Sequence, residues 1–151
     1  YMIPVDAAIW KASDVRRDGT SIESMLAAMQ QSGARAKLVV VDASRRNPYE
    51  RRFRSYSHGL APINAPDNAL VLSSAAPGRV IDDGDGENSR VVAELLNNLK
   101  SPADAATVFN KTRLAVSQAS QGKQIPSVSS SLREDVPFGD QTPASLAKAG
   151  S

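Results

Sequence analysis

Cysteine is absent from the 151 residues, and with it go disulfides, thiolate metal sites and any cysteine nucleophile supplied by this chain. Histidine occurs once, so His58 is the only imidazole base on offer. Aromatic residues make up 5% of the chain, and the formal charge is only +2, too small by itself to argue for a nucleic-acid partner. The apolar runs are a handful of residues long, too short for a membrane-spanning helix. The opening YMIPVDAAIW has neither the basic start nor the long apolar stretch of a signal peptide. It also lacks an initiator Met and reads like the interior of a domain, which leads us to expect a fragment or a processed subunit. None of these absences decides the compartment.

What remains is the composition of an ordinary globular domain, with 41% hydrophobic and 23% charged residues, in a chain long enough to bury a core. Residues 20–33, TSIESMLAAMQQSG, carry the strongest helix signal. Thr20 with Glu23 matches a capping box, Ile22, Met25, Leu26 and Met29 share one face, and Gly33 suits a left-handed C-terminal position. A short linker leads to residues 37–41, KLVVV, read as a buried strand of a parallel sheet covered on both faces. Residues 43–68 read as loop, broken by Pro48, Gly59, Pro62 and Pro66. A second buried strand is expected over 69–76, closed by the turn pair Pro77-Gly78.

Ser89 is expected to cap a helix reaching Lys100, with Val92, Leu95, Leu96 and Leu99 inward. Ser101-Pro102 reads as the start of a further helix to about Ser120 that buries Val108, Leu114 and Val116. Residues 123–138 read as irregular, 139–151 as a mobile tail, and residues 1–5 as an extra strand. No internal repeat is evident. The element order predicts an α/β fold, a single sheet between helices.

The chemistry concentrates at KLVVVDASRRNP, residues 37–48, where a strand ends in an acid and two small residues before a basic loop. Open α/β sheets collect ligands and catalytic groups at the carboxyl ends of their strands. Ser44 is therefore a candidate nucleophile with His58 as its base, although the flanks lack the G-x-S-x-G elbow; the other reading is that Ser44 caps a turn and His58 is an exposed loop residue. Arg45, Arg46, Arg51, Arg52 and Arg54, interleaved with Tyr49, Phe53 and Tyr56, either meet phosphate or form a solvated loop open to proteases. The acidic stretch Asp82, Asp83, Asp85, Glu87 departs from a calcium-binding loop because Asn88 stands at the turn-glycine position and no closing glutamate follows. It is either a site for a hard cation such as calcium or the wall of a pocket for a basic side chain.

Several separated segments resemble one family in the same order. VDASRRNPYERRFRS is similar to the D-A-C-R-x-N-P segment of bacterial caspase-like peptidases, the prokaryotic relatives of metacaspases. GLAPINAP, LSSAAPGRVIDDGDGENS and SSLREDVPF resemble later segments of that family, and YMIPVDA resembles the stretch after its catalytic His-Gly. The resemblance covers residues 1–138 and implies the C-terminal portion of a caspase-like domain, with a mainly parallel sheet flanked by helices and a flexible tail over 139–151. It implies a cysteine–histidine dyad that forms an acyl-enzyme and a preference for Arg or Lys at the cleaved position. By position, Asp42 matches one acid of the primary pocket, and Asp82 or Asp83 a second. The cysteine position, however, is occupied by Ser44, and the family's histidine falls ahead of Tyr1; His58 does not match it. The expectations are a lost or very weak protease, either a natural pseudoenzyme or a Cys-to-Ser variant. No cofactor is expected, with calcium at the acidic loop as the alternative. The expected partners are peptides or proteins with basic residues, and an upstream segment or second chain that completes the fold; neither nucleic acid nor membrane is expected.

Overall fold

A computed structural model describes residues 1–43, 61–81 and 88–138. The elements are α1 (Ala12–Asp18), α2 (Ile22–Gln31), β1 (Lys37–Val41), β2 (Ala69–Ser73), α3 (Arg90–Asn98), β3 (Ala103–Asp104), α4 (Ala105–Ala119), β4 (Ser127–Ser130) and β5 (Pro137–Phe138). One sheet has the order β1-β2-β4; a second pairs β3 with β5. The α/β reading holds. β1 and β2 run parallel from Lys37↔Ala69 to Val41↔Ser73, while β4 joins antiparallel with Ser73 opposite Ser127.

All five residues of β2 are buried, because the strand is central and its two faces meet different layers. Leu70 and Leu72 pack with Val91 of α3 and with Ala105, Val108, Phe109 and Val116 of α4. Val71, Ser73 and Ala75, pointing the other way, line a cavity of about 220 Å³ shared with residues 61–64 and β4. Lys37, on the face of Ala69 and Val71, is buried with its Nζ donating to Gln30 Oε1 of α2. α2 therefore covers the face opposite α3 and α4.

The structure corrects several local expectations. Ser21, not Thr20, caps α2 by accepting the Ser24 N–H at 3.3 Å, and its hydroxyl donates to Glu23 at 2.7 Å. Thr20 is occupied elsewhere, exchanging backbone hydrogen bonds with Met2. That bridge is all that forms of the strand expected over residues 1–5. Gly33 does take the left-handed conformation after α2, at φ +82°. β1 is only partly covered, with Val40 40% exposed, and among the described residues it lies at the edge of the sheet.

Ser89 caps α3 as expected, accepting the Val92 N–H at 3.1 Å, but the helix ends at Asn98 and its buried residue is Val91, with Leu96 and Leu99 exposed. α4 begins at Ala105 rather than at Ser101-Pro102, because Ala103 and Asp104 pair with Phe138 and Pro137 and Asp104 then caps the helix through the Thr107 N–H. Leu114 is half exposed on the outer face of α4. Residues 123–138, expected to be irregular, hold both β4 and β5. The helix α1 carries no strong apolar period and went unanticipated. The tail over 139–151 lies outside the described residues.

Candidate functional site

The carboxyl ends of β1 and β2 lie side by side. The last rung between them is the Ser74 N–H donating to the Val41 carbonyl at 2.9 Å. Immediately past it the chain emerges into Asp42 and Ala43, both exposed. Asp42 is thus delivered by an apolar strand to an open position at the end of a parallel pair, where its carboxylate can meet a cationic group. It also borders a cavity of about 460 Å³ along β1, whose walls include Met25, Leu26 and Met29 of α2 and Val40.

Of the site residues expected from the sequence, Asp42 is the one the structure places. Ser44, His58, Asp82 and Asp83 lie outside the described residues, as do the arginines of 45–54. Among the described residues no group of three or more His, Cys, Asp or Glu is placed to hold a metal ion. The acidic loop that raised the calcium reading falls outside them.

Asp14, Asp18, Glu23 and Asp104 are held below the ordinary carboxylate range, and all but Asp18 serve helix starts. Asp104 is lowered chiefly by the Thr107 hydroxyl at 2.5 Å, and then by the Thr107 N–H. Asp14 is lowered first by the Trp10 N–H, with Lys11 N–H and Arg17 adding to it against the opposing effect of burial. Both sit in networks that explain them structurally.

Sequence reasoning missed the polar groups behind the strand ends. Ser74 is fully buried, and its hydroxyl finds no hydrogen-bond partner among the described residues. Gln124, also buried, donates its side-chain amide to the Ser74 carbonyl at 2.9 Å. No pattern in the sequence marks this pair, because a glutamine in a stretch without periodicity reads as surface.

A parallel pair ending in an acid, an antiparallel third strand, and helices on both faces are the frame onto which the comparison with known families falls. The model of the caspase domain, a peptidase family, matches residues 1–137. The chain belongs to the caspase-domain family. A search of curated proteins finds no match. The match spans all three parts of the described structure, so the α/β frame here is that of a caspase-like fold, and β1 with Asp42 lies within the caspase domain. Among the described residues no helix is long and apolar enough to cross a membrane.

Proposed function

We propose that this is a caspase-like domain of the bacterial metacaspase type, built for Arg- or Lys-directed peptide cleavage, in which Ser44 occupies the nucleophile position and proteolysis is lost or very weak. The observation that carries the reading is the serine in VDASRRN, a segment otherwise similar to the D-A-C-R-x-N-P of that family, within a chain that belongs to the caspase-domain family. A cysteine ionises near pH 8.5, whereas an alcohol ionises far above it, so an imidazole that suffices for a thiol leaves a serine protonated. No carboxylate-backed triad that would compensate is evident in the sequence. Asp42, with Asp82 or Asp83, forms the acidic wall for the basic side chain, and no cofactor enters the chemistry, a calcium ion at the acidic residues 82–87 being the alternative.

The exposed carboxylate of Asp42 favours a second reading, a non-catalytic module that binds basic peptide segments. In either case an upstream segment or a second chain supplies the histidine and completes the fold, a reading supported by the outer edge of β1, which has no strand partner among the described residues. Cleavage of Arg- and Lys-containing fluorogenic peptides by the parent and by Ser44→Cys, each in the polypeptide that carries the histidine, tests the proposal. The expected result is turnover with Ser44→Cys and none with the parent. Turnover by the parent at the rate of the cysteine form would overturn it. Binding of Arg peptides that survives Asp82→Ala with Asp83→Ala would remove the acidic-pocket reading.

A further inference from the structure

The end of β2 is held from behind by a single buried side chain. Gln124 follows α4 and is 6% exposed. Its Nε2 donates to the carbonyl of Ser74, fifty residues earlier in the chain, at 2.9 Å. The glutamine itself is fixed: its N–H donates to Ser120 Oγ at 3.0 Å, and the Ser120 hydroxyl donates to the Gln124 carbonyl at 3.0 Å. The next residue continues the attachment, with the Ala76 N–H donating to the Ile125 carbonyl at 2.8 Å. On its other side, Ser74 donates its N–H to the Val41 carbonyl. A chain of hydrogen bonds therefore runs from the turn after α4, through Gln124 and Ser74, to the last residue before Asp42.

We propose that Gln124 is a positioning residue for the candidate site, setting the carboxyl end of β2 against that of β1 and so placing Asp42. The proposal rests on Asp42 belonging to that site. A buried carbonyl needs a donor, and an apolar side chain of equal volume would fill the space without supplying one. Losing the donor frees Ser74 to turn toward another partner, which removes the rung to Val41 and lets the Asp42 backbone shift. Ser74 is prone to such a move because, among the described residues, its own hydroxyl has no hydrogen-bond partner that would hold it. Substrate contact is not part of this role; Gln124 acts through Ser74 and Val41.

The test is amide exchange and ¹H–¹⁵N spectroscopy on the 151-residue chain, comparing the parent with Gln124→Met, which keeps the volume and removes the donor. The expected result is a Ser74 amide that exchanges about tenfold faster or more and moved Asp42 and Ala43 resonances, with Leu72 and Val108 keeping their rates. Unchanged Ser74 exchange with unchanged Asp42 and Ala43 resonances would overturn the proposal. So would an equal acceleration at Leu72, Val108 and Ser74, which marks Gln124 as core filling alone. Should Gln124→Met fail to fold, the parent decides the matter. Gln124 side-chain amide protons that exchange as fast as those of exposed Gln118 would overturn the proposal, and protected ones would support it. Titration with acetyl-Ala-Arg-Ala-amide separates the two layers: if the parent does not bind it, the acidic-pocket reading fails, while the exchange results still decide the role of Gln124.

Discussion

The Val41 carbonyl accepts the Ser74 N–H at 2.9 Å, one residue before the chain leaves β1 for Asp42. At the opposite end of the same pair, the Lys37 N–H donates to the Asn68 carbonyl at 3.0 Å. In a parallel ladder these two bonds assign Lys37, Val39 and Val41 to β2, so Leu38 and Val40 turn their N–H and C=O groups to the other edge, which has no strand partner among the described residues.

Amide exchange in the 151-residue chain should therefore alternate along β1. Val39 and Val41 are expected to be protected, and Leu38 and Val40 to exchange about tenfold faster or more. A segment that completes the sheet would slow those two amides in particular. Equal rates along the strand in the isolated chain would contradict the edge assignment.

Phe109 is the largest apolar side chain in the core between the sheet and α4, and its ring lies 6.5 Å from that of Phe138. Phe109→Ala removes its share of the core cluster with Leu70 and Leu72 and the ring contact with Phe138 of β5. Denaturant unfolding should register a loss of about 3–5 kcal/mol. A loss below about 1 kcal/mol would mean the site collapses around the gap or that Phe109 is not in the core.

Ser74→Ala should leave stability unchanged or raise it by up to about 1 kcal/mol, because the hydroxyl is buried without a partner among the described residues. Its backbone bonds to Val41 and Gln124 do not depend on the side chain. A clear loss in a urea titration would reveal a partner for the hydroxyl.

Asp14 links acid stability to the start of α1. Its carboxylate accepts the N–H groups of Trp10 and Lys11 and the Arg17 guanidinium, each at 3.0 Å, and its pKa is lowered. A carboxyl depressed in the fold contributes fully above its unfolded pKa, about 4, and loses that contribution as pH falls through the lower folded value. Asp14→Asn should lower the melting temperature at pH 7 and flatten the acid limb of the stability profile. An acid limb as steep as the parent's would show that other groups carry it.

Much of the frame was legible in the chain. The apolar runs of β1 and β2 specify strands whatever surrounds them, and Ser89 followed by a helical period specifies α3 and its cap. The Thr20 and Ser101 caps were misread, since a cap is decided by which backbone donors remain free. Thr20 is taken by Met2 and residues 103–104 by β5, pairings that need distant chain. β4 and β5 were missed for a related reason: Ser127–Ser130 has no apolar alternation of its own and becomes a strand because buried β2 offers it a row of partners.

By itself the sequence determined the two apolar strands, the existence of α2 and α3 and the delivery of Asp42 to a strand's end, because these follow from short-range periodicity. Only the tertiary structure decided that β1 lies at the edge of the described sheet, that Leu96 and Leu114 face outward, and that Gln124 reaches Ser74. Those outcomes depend on which surfaces remain for burial and which carbonyls remain unpaired once segments fifty residues apart have met.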